Sequence, residues 1–254
     1  MEGRSSKRKW IFRSAAATVV LALIGFVGIP YVYVHFINKP AARLSFEQLD
    51  ADAAKSANAV GTSSELSASD SSSAVDSGAA ADEVNGTWVV SQGSEVGYRV
   101  KEVISGQATE GVGRTSTVEG SLTVTDGNLI SSDFSVDVAT MTSDNSRRDS
   151  QFAGRIMNTE EFPIGSFTST STLGVSLPPE GETVSTSVNG VLTLHGEERP
   201  VSVPVQLRRV GETVQLKGSI AVAFADYGID NPSIGPVKTG DTGEIEFLLT
   251  MKRS

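Results

Sequence analysis

The 254-residue chain contains no cysteine and carries a formal net charge of −9. The missing cysteine removes disulfides, thiolate metal sites, a cysteine nucleophile and a lipid-modified cysteine anchor. The acidic balance repels phosphate backbones and so argues against nucleic acid as a partner.

The charge is unevenly spread: residues 1–43 sum to +6, residues 44–86 to −7 and residues 87–254 to −8. Residues 1–13 form a basic segment containing Arg4, Lys7, Arg8, Lys9 and Arg13. Next comes a 24-residue run, Ser14 to Ile37, without a formally charged side chain. About 20 residues of helix cross a bilayer core, so residues 14–37 are predicted to be a transmembrane anchor. The excess of basic charge before the run predicts a cytoplasmic N-terminus and an extracytoplasmic remainder. Trp10, Tyr31 and Tyr33 suit the two interfaces, and Pro30 ends or kinks the regular helix near the outer face. A cleaved signal peptide is the competing reading, but its apolar region is shorter and ends at an A-x-A-like site. Here Asn38-Lys39-Pro40-Ala41-Ala42 follows instead.

Residues 38–86 are predicted to be a disordered, acidic, Ala/Ser-rich linker, because so little apolar surface does not offset ordering entropy. Within it, LSFEQLDADAAKSA has the composition of a short helix. Residues 44–86 as coil would reach about 35–40 Å, which makes the segment a tether.

From residue 87 the hydrophobic period becomes two. Val96, Tyr98 and Val100 share one face, as do Phe134, Val136 and Val138, and as do Val201, Val203, Val205 and Leu207. Val214, Leu216, Gly218, Ile220, Val222 and Phe224 form the longest series, and Ile245, Phe247, Leu249 and Met251 form the last. Such alternation predicts strands with one buried and one wet face. Turn signals at Asp126-Gly127, Pro178–Gly181, Gly196 and Gly211 separate them, so an antiparallel meander closed into a barrel or a sandwich is expected. One segment differs: Phe152, Ile156 and Met157 lie at helical spacing, with Ser143 or Asp144 placed to cap. The domain at 87–254 is therefore all-β, about eight strands with one helix inserted between the third and fourth.

The order and spacing of several short pieces resemble the YceI-like family. They are Trp88, Ser94-x-Val96-x-Tyr98-x-Val100, Val118-Glu119-Gly120-Ser121-Leu122, Arg148-Asp149, Glu161-Phe162-Pro163 with Phe167, Gly190 to Gly196, Arg199-Pro200-Val201 and Asp226-Tyr227-Gly228-Ile229. The resemblance implies an eight-stranded, lipocalin-like antiparallel barrel that is extracytoplasmic and non-enzymatic. It would bind a polyprenyl chain, an isoprenoid quinone or another long-chain lipid, with no cofactor. It departs from the family where many members carry a histidine after the first strand, since Lys101-Glu102 stand there.

Alternation and the resemblance together nominate ligand-binding side chains on each strand: Tyr98 and Val100, Phe134 and Val136, Phe167, Leu192 and Leu194, and Ile220 and Phe224. Phe152 from the helix and Tyr227 at the following corner complete the set. Arg147, Arg148 and Asp149 are charges available to a headgroup, or to the helix terminus and neighbouring acids. Alternation cannot tell a hollow barrel from a solid one, so a surface interaction module with a packed core is the alternative. A Ser-His-Asp hydrolase would require His195, the one histidine outside residues 14–37. Its place beside Gly196 instead suggests a turn residue.

Overall fold

The computed structural model describes residues 40–60, 84–170 and 175–254. The predicted cytoplasmic segment at 1–13, the predicted anchor at 14–37 and residues 38–39 and 61–83 of the predicted linker lie outside these. Among the described residues, no helix is long and apolar enough to cross a membrane.

The alternating segments become twelve strands: β1 (Gly86–Val90), β2 (Glu95–Ile104), β3 (Gln107–Thr115), β4 (Val118–Thr125), β5 (Asn128–Asp137), β6 (Thr142–Ser143), β7 (Ile164–Ser169), β8 (Thr183–Leu194), β9 (Glu197–Val210), β10 (Thr213–Ala223), β11 (Val237–Thr239) and β12 (Thr242–Arg253). Trp88 faces Leu122 and Val96 faces Thr115, so β1–β2 and β3–β4 are the bent arms of one long hairpin. Around the molecule the order is β1-β4-β5-β7-β8-β9-β10-β12, and β12 returns to pair with β1. This is a closed antiparallel barrel of eight strands, which leaves none of the eight as a free edge. The first half of β12 pairs β2, as Ile245 with Tyr98, and the second half pairs β1, as Met251 with Val90.

Turn chemistry sets the register. Asp126-Gly127 has φ of 51° and 72°, and His195-Gly196 has 51° and 78°. Two successive left-handed residues match the twist of the flanking strands, as in type I′ hairpins.

The inserted helix is α2 (Ser146–Gln151), continued by a wider π-helical turn at Phe152–Ile156. Its cap is Asn145, which accepts from Arg147 N at 3.0 Å, and not Ser143 or Asp144. Both predicted caps are engaged elsewhere. Ser143 lies in β6 opposite Gly113 and donates its hydroxyl to Asp149 at 2.6 Å, while Asp144 pairs with Arg148.

The two ends of the barrel differ. At one, Trp88, Leu122, Val124, Val214 and Met251 are essentially inaccessible, and Trp88 Nε1 donates to Val84 O at 3.0 Å. This is a packed plug. At the other, where β2 ends and β12 begins, α2 and the 224–240 loop gather; this is the helix end.

The predicted linker requires a correction. Its described part is no free coil: α1 (Phe46–Val60) begins on the outer face of the barrel. Leu44 and Phe46 are buried against Leu248, with Leu49 packed alongside. The Arg208 guanidinium lies 4.4 Å and Lys217 Nζ 5.2 Å from the Phe46 ring centre. Cation–π contacts of this kind contribute about 0.5–2 kcal/mol each. A low apolar average over the whole linker concealed three apolar side chains within six residues, Leu44, Phe46 and Leu49, enough to dock locally.

Candidate functional site

Between plug and helix end the barrel encloses a cavity of about 210 Å³, lined almost wholly by apolar side chains. That is many times the roughly 10–15 Å³ that one water needs. The barrel therefore encloses open space between the plug and the helix end, which the packed-core alternative does not describe.

Glycines help to keep the space open. A Cβ at Gly113 would sit 2.4 Å from the Tyr98 ring, and one at Gly190 would sit 2.4 Å from Phe167. A Cβ at Gly120 or at Gly218 would likewise sit 2.5 Å from the Phe134 or the Phe247 ring. Each aromatic side chain thus lies across a bare stretch of neighbouring strand, flat against the wall. Aromatic rings covering sheet glycines also pin the register. An alternating strand with glycine at an inward position was the sequence signal for this arrangement.

Ten of the eleven nominated residues line the cavity: Tyr98, Val100, Phe134, Val136, Phe152, Phe167, Leu192, Leu194, Ile220 and Phe224. Tyr227 does not. It ends a 3₁₀ turn at Phe224–Tyr227 that Gly228 terminates in the left-handed conformation, and the turn carries the buried ring aside. Its carbonyl sits 3.0 Å from His195 Nδ1, and the Phe162 ring centre lies 4.7 Å from the His195 ring. His195 is thereby a packing residue between two loops at the helix end. It is absent from the cavity wall.

At the polar end of the cavity, sequence reasoning offered Arg148 to a headgroup but missed Glu102. Glu102 and Arg148 both line it, and Arg148 Nη2 donates to Glu102 Oε2 at 3.4 Å. Their side chains retain only 11% and 16% exposure, so the pair faces inward rather than into bulk water. Gly111 makes room, since a Cβ there would meet Glu102 Oε1 at 2.5 Å. Arg148 is held by Asp144 on its other side. Beside this pair Tyr98 stacks on Phe152, with centroids 4.6 Å apart and planes inclined by 12°. Glu102 stands close to the position where the resemblance led one to look for a histidine. Asp149, by contrast, serves the helix terminus by accepting from Ser143 N and Oγ.

Burial pushes the Glu102 carboxyl above its ordinary value, Arg148 opposes the shift and Asp144 adds to it. Burial likewise raises the Tyr98 phenol, with Arg148 opposing. The sign for Glu102 follows from proton linkage. A carboxyl with a raised folded-state pKa binds its proton more tightly in the native state, so stability falls as pH rises above its ordinary value of about 4.3. Relative to Glu102→Gln, which cannot ionise, the wild-type melting temperature is expected to decline as pH is raised from about 4 to 7. A flat difference between the two melting curves over that range would show that Glu102 keeps an ordinary carboxyl environment. Among the described residues, no group of three His, Asp or Glu side chains is placed to hold a metal.

The profile of the YceI-like domain matches residues 88–251. The chain belongs to the YceI-like family. Among solved structures, a polyisoprenoid binding domain from Saccharophagus degradans, implicated in plant cell wall breakdown, superposes with a TM-score of 0.54. Identity is 12%, and the match covers 67% of this chain and 99% of that one. BcnA of Burkholderia cenocepacia gives 0.48 at 22% identity, covering 62% and 95%. The Campylobacter jejuni YceI protein gives 0.46 at 11%, covering 56% and 84%. No curated protein matches. The Saccharophagus structure supports the YceI-like barrel fold, and the family match places the cavity within the domain that defines the family.

Proposed function

We propose that this YceI-like domain binds one long, apolar, isoprenoid-type amphiphile and holds it outside the cytoplasm on a membrane-anchored chain. The observation that carries this reading is the cavity itself, apolar along its wall and lined at the helix end by an inward-facing Glu102–Arg148 pair. That polarity matches a ligand with a long hydrocarbon body and a small polar head. Each buried methylene contributes about 0.8 kcal/mol, so ten equivalents supply on the order of 8 kcal/mol before ordering costs. Binding of this kind needs shape and dryness rather than directional chemistry.

The positive charge before residue 14 and the length of the 14–37 run support the anchor and its direction. A carrier, store or sensor of a membrane lipid gains from such tethering, because the lipid source stays close.

Native mass spectrometry of the full chain, followed by lipid extraction, tests the reading. The expected result is a bound species of fixed mass that extracts as a polyprenyl or quinone-type lipid. Only the mass of the bare polypeptide, both as purified and after incubation with such lipids, would overturn it.

A further inference from the structure

Arg99 and Glu246 point outward from β2 and β12, yet each side chain retains only 4% exposure. The cover is the segment immediately after the predicted anchor. Arg99 Nη2 donates to the carbonyls of Ala41 and Ala42 at 3.0 and 3.3 Å, and Arg43 pairs with Glu244 at 2.9 Å. Further along, Phe46 enters the pocket by Leu248 and Asp50 pairs with Arg208 at 2.6 Å. Glu244 lies near the helix end of β12, whereas Arg208 lies level with Thr250 through Gln215. The segment therefore runs along the barrel wall toward the plug, starting level with Arg99 and Glu244 in the helix-end half of β12.

We infer that residues 40–50 are a strap that seats the barrel with its helix end, and hence the Glu102–Arg148 end of the cavity, against the bilayer surface. The inference rests on the anchor proposed above. Three residues carry the chain from Ile37 to Pro40, a span of at most about 10 Å. The plug end lies well beyond that reach, since the stretch of β12 from Glu244 to Arg253 covers about 30 Å along the strand. A docked strap cannot reach the membrane with the plug end first. A separate observation agrees with this direction. Of the five large apolar side chains exposed among the described residues, Val103, Ile164 and Ile234 stand at the helix end, with Lys238 opposite Val103. Apolar side chains flanked by a lysine suit the headgroup region of a lipid surface. An amphiphile could then pass between bilayer and cavity without crossing water.

The absence of native cysteine allows single labels. Lys238→Cys marks the helix end, and Glu212→Cys marks the β9–β10 turn at the plug end. Each full-length variant would carry a fluorophore, in vesicles of zwitterionic phospholipid containing a headgroup quencher. Quenching several-fold stronger at position 238 than at 212 is expected. Leu44→Ser with Phe46→Ser, which breaks the strap, should bring the ratio close to one. A second variant inserts about 20 Gly/Ser residues after Lys39, giving roughly 25 Å of slack while leaving barrel and strap intact. It should also remove the contrast. Equal quenching at the two positions in chains that float with the vesicles would overturn the seating alone and leave the anchor standing. A contrast that survives both changes would overturn the strap as its cause. Chains that do not float would overturn the anchor, and the seating would fall with it.

Discussion

Truncating Leu122 to alanine is expected to destabilise the barrel by about 2–5 kcal/mol, whereas the same truncation at Leu192 should cost considerably less. Leu122 has no exposure, pairs with Trp88 across β1–β4 and lies in the plug, away from the cavity wall. Removing its side chain creates a new void among groups that cannot collapse, so the lost transfer energy and the cavity penalty add. Leu192 is also buried, but one of its sides already faces the cavity. Its truncation widens an existing space and forfeits contacts only with the wall. Chemical denaturation of both variants in lipid-free form checks the contrast. Equal losses would mean that the interior at Leu192 is as tightly packed as the plug. A lowered slope with denaturant would instead point to a change in the denatured state.

The wall of the site was legible because it is local. On β2, β5, β8 and β10 a period of two decides which side chains turn inward, and ten nominated residues line the cavity. Periodicity fails where the strand stops. Phe224 ends the β10 series; the chain then turns through a 3₁₀ segment, and Tyr227, nominated at the corner that follows, lies off the wall. The pairing of Arg148 with Glu102 at the polar end was illegible for a different reason. Glu102 and Arg148 are 46 residues apart on a strand and a helix, and only closure of the barrel brings them together. The same holds for the strap. Arg99 reads as an outward, wet position on β2, and alternation carries no sign that Ala41 and Ala42 will cover it from 58 and 57 residues away. The helix cap shows the limit at short range. Three adjacent residues, Ser143, Asp144 and Asn145, can all cap, and which one does depends on the partners taken by the other two.

Replacing Ile220 with tryptophan is expected to abolish or shorten the retained lipid while leaving the lipid-free barrel almost as stable as before. Ile220 sits mid-strand on β10, paired with Ile245, and its side chain faces the cavity. Two outcomes compete for the added indole. In a filled interior, overpacking of this kind costs about 1–3 kcal/mol and displaces neighbours from their rotamers. In a hollow one the ring enters space that a hydrocarbon chain would otherwise occupy, and the penalty is small. The flattened rings of Phe167 and Phe247, each lying over a glycine, leave the centre open for it. The measurement must separate the two states, because a ligand present at about 100 times its dissociation constant itself stabilises the fold by roughly 2.7 kcal/mol. Lipid-free wild type and variant should therefore melt close together, and added isoprenoid lipid should raise only the wild-type transition. A variant that melts far below the wild type when both are lipid-free would show that the space around Ile220 is already filled by protein. A variant that retains full-length lipid would place the ligand's path away from β10.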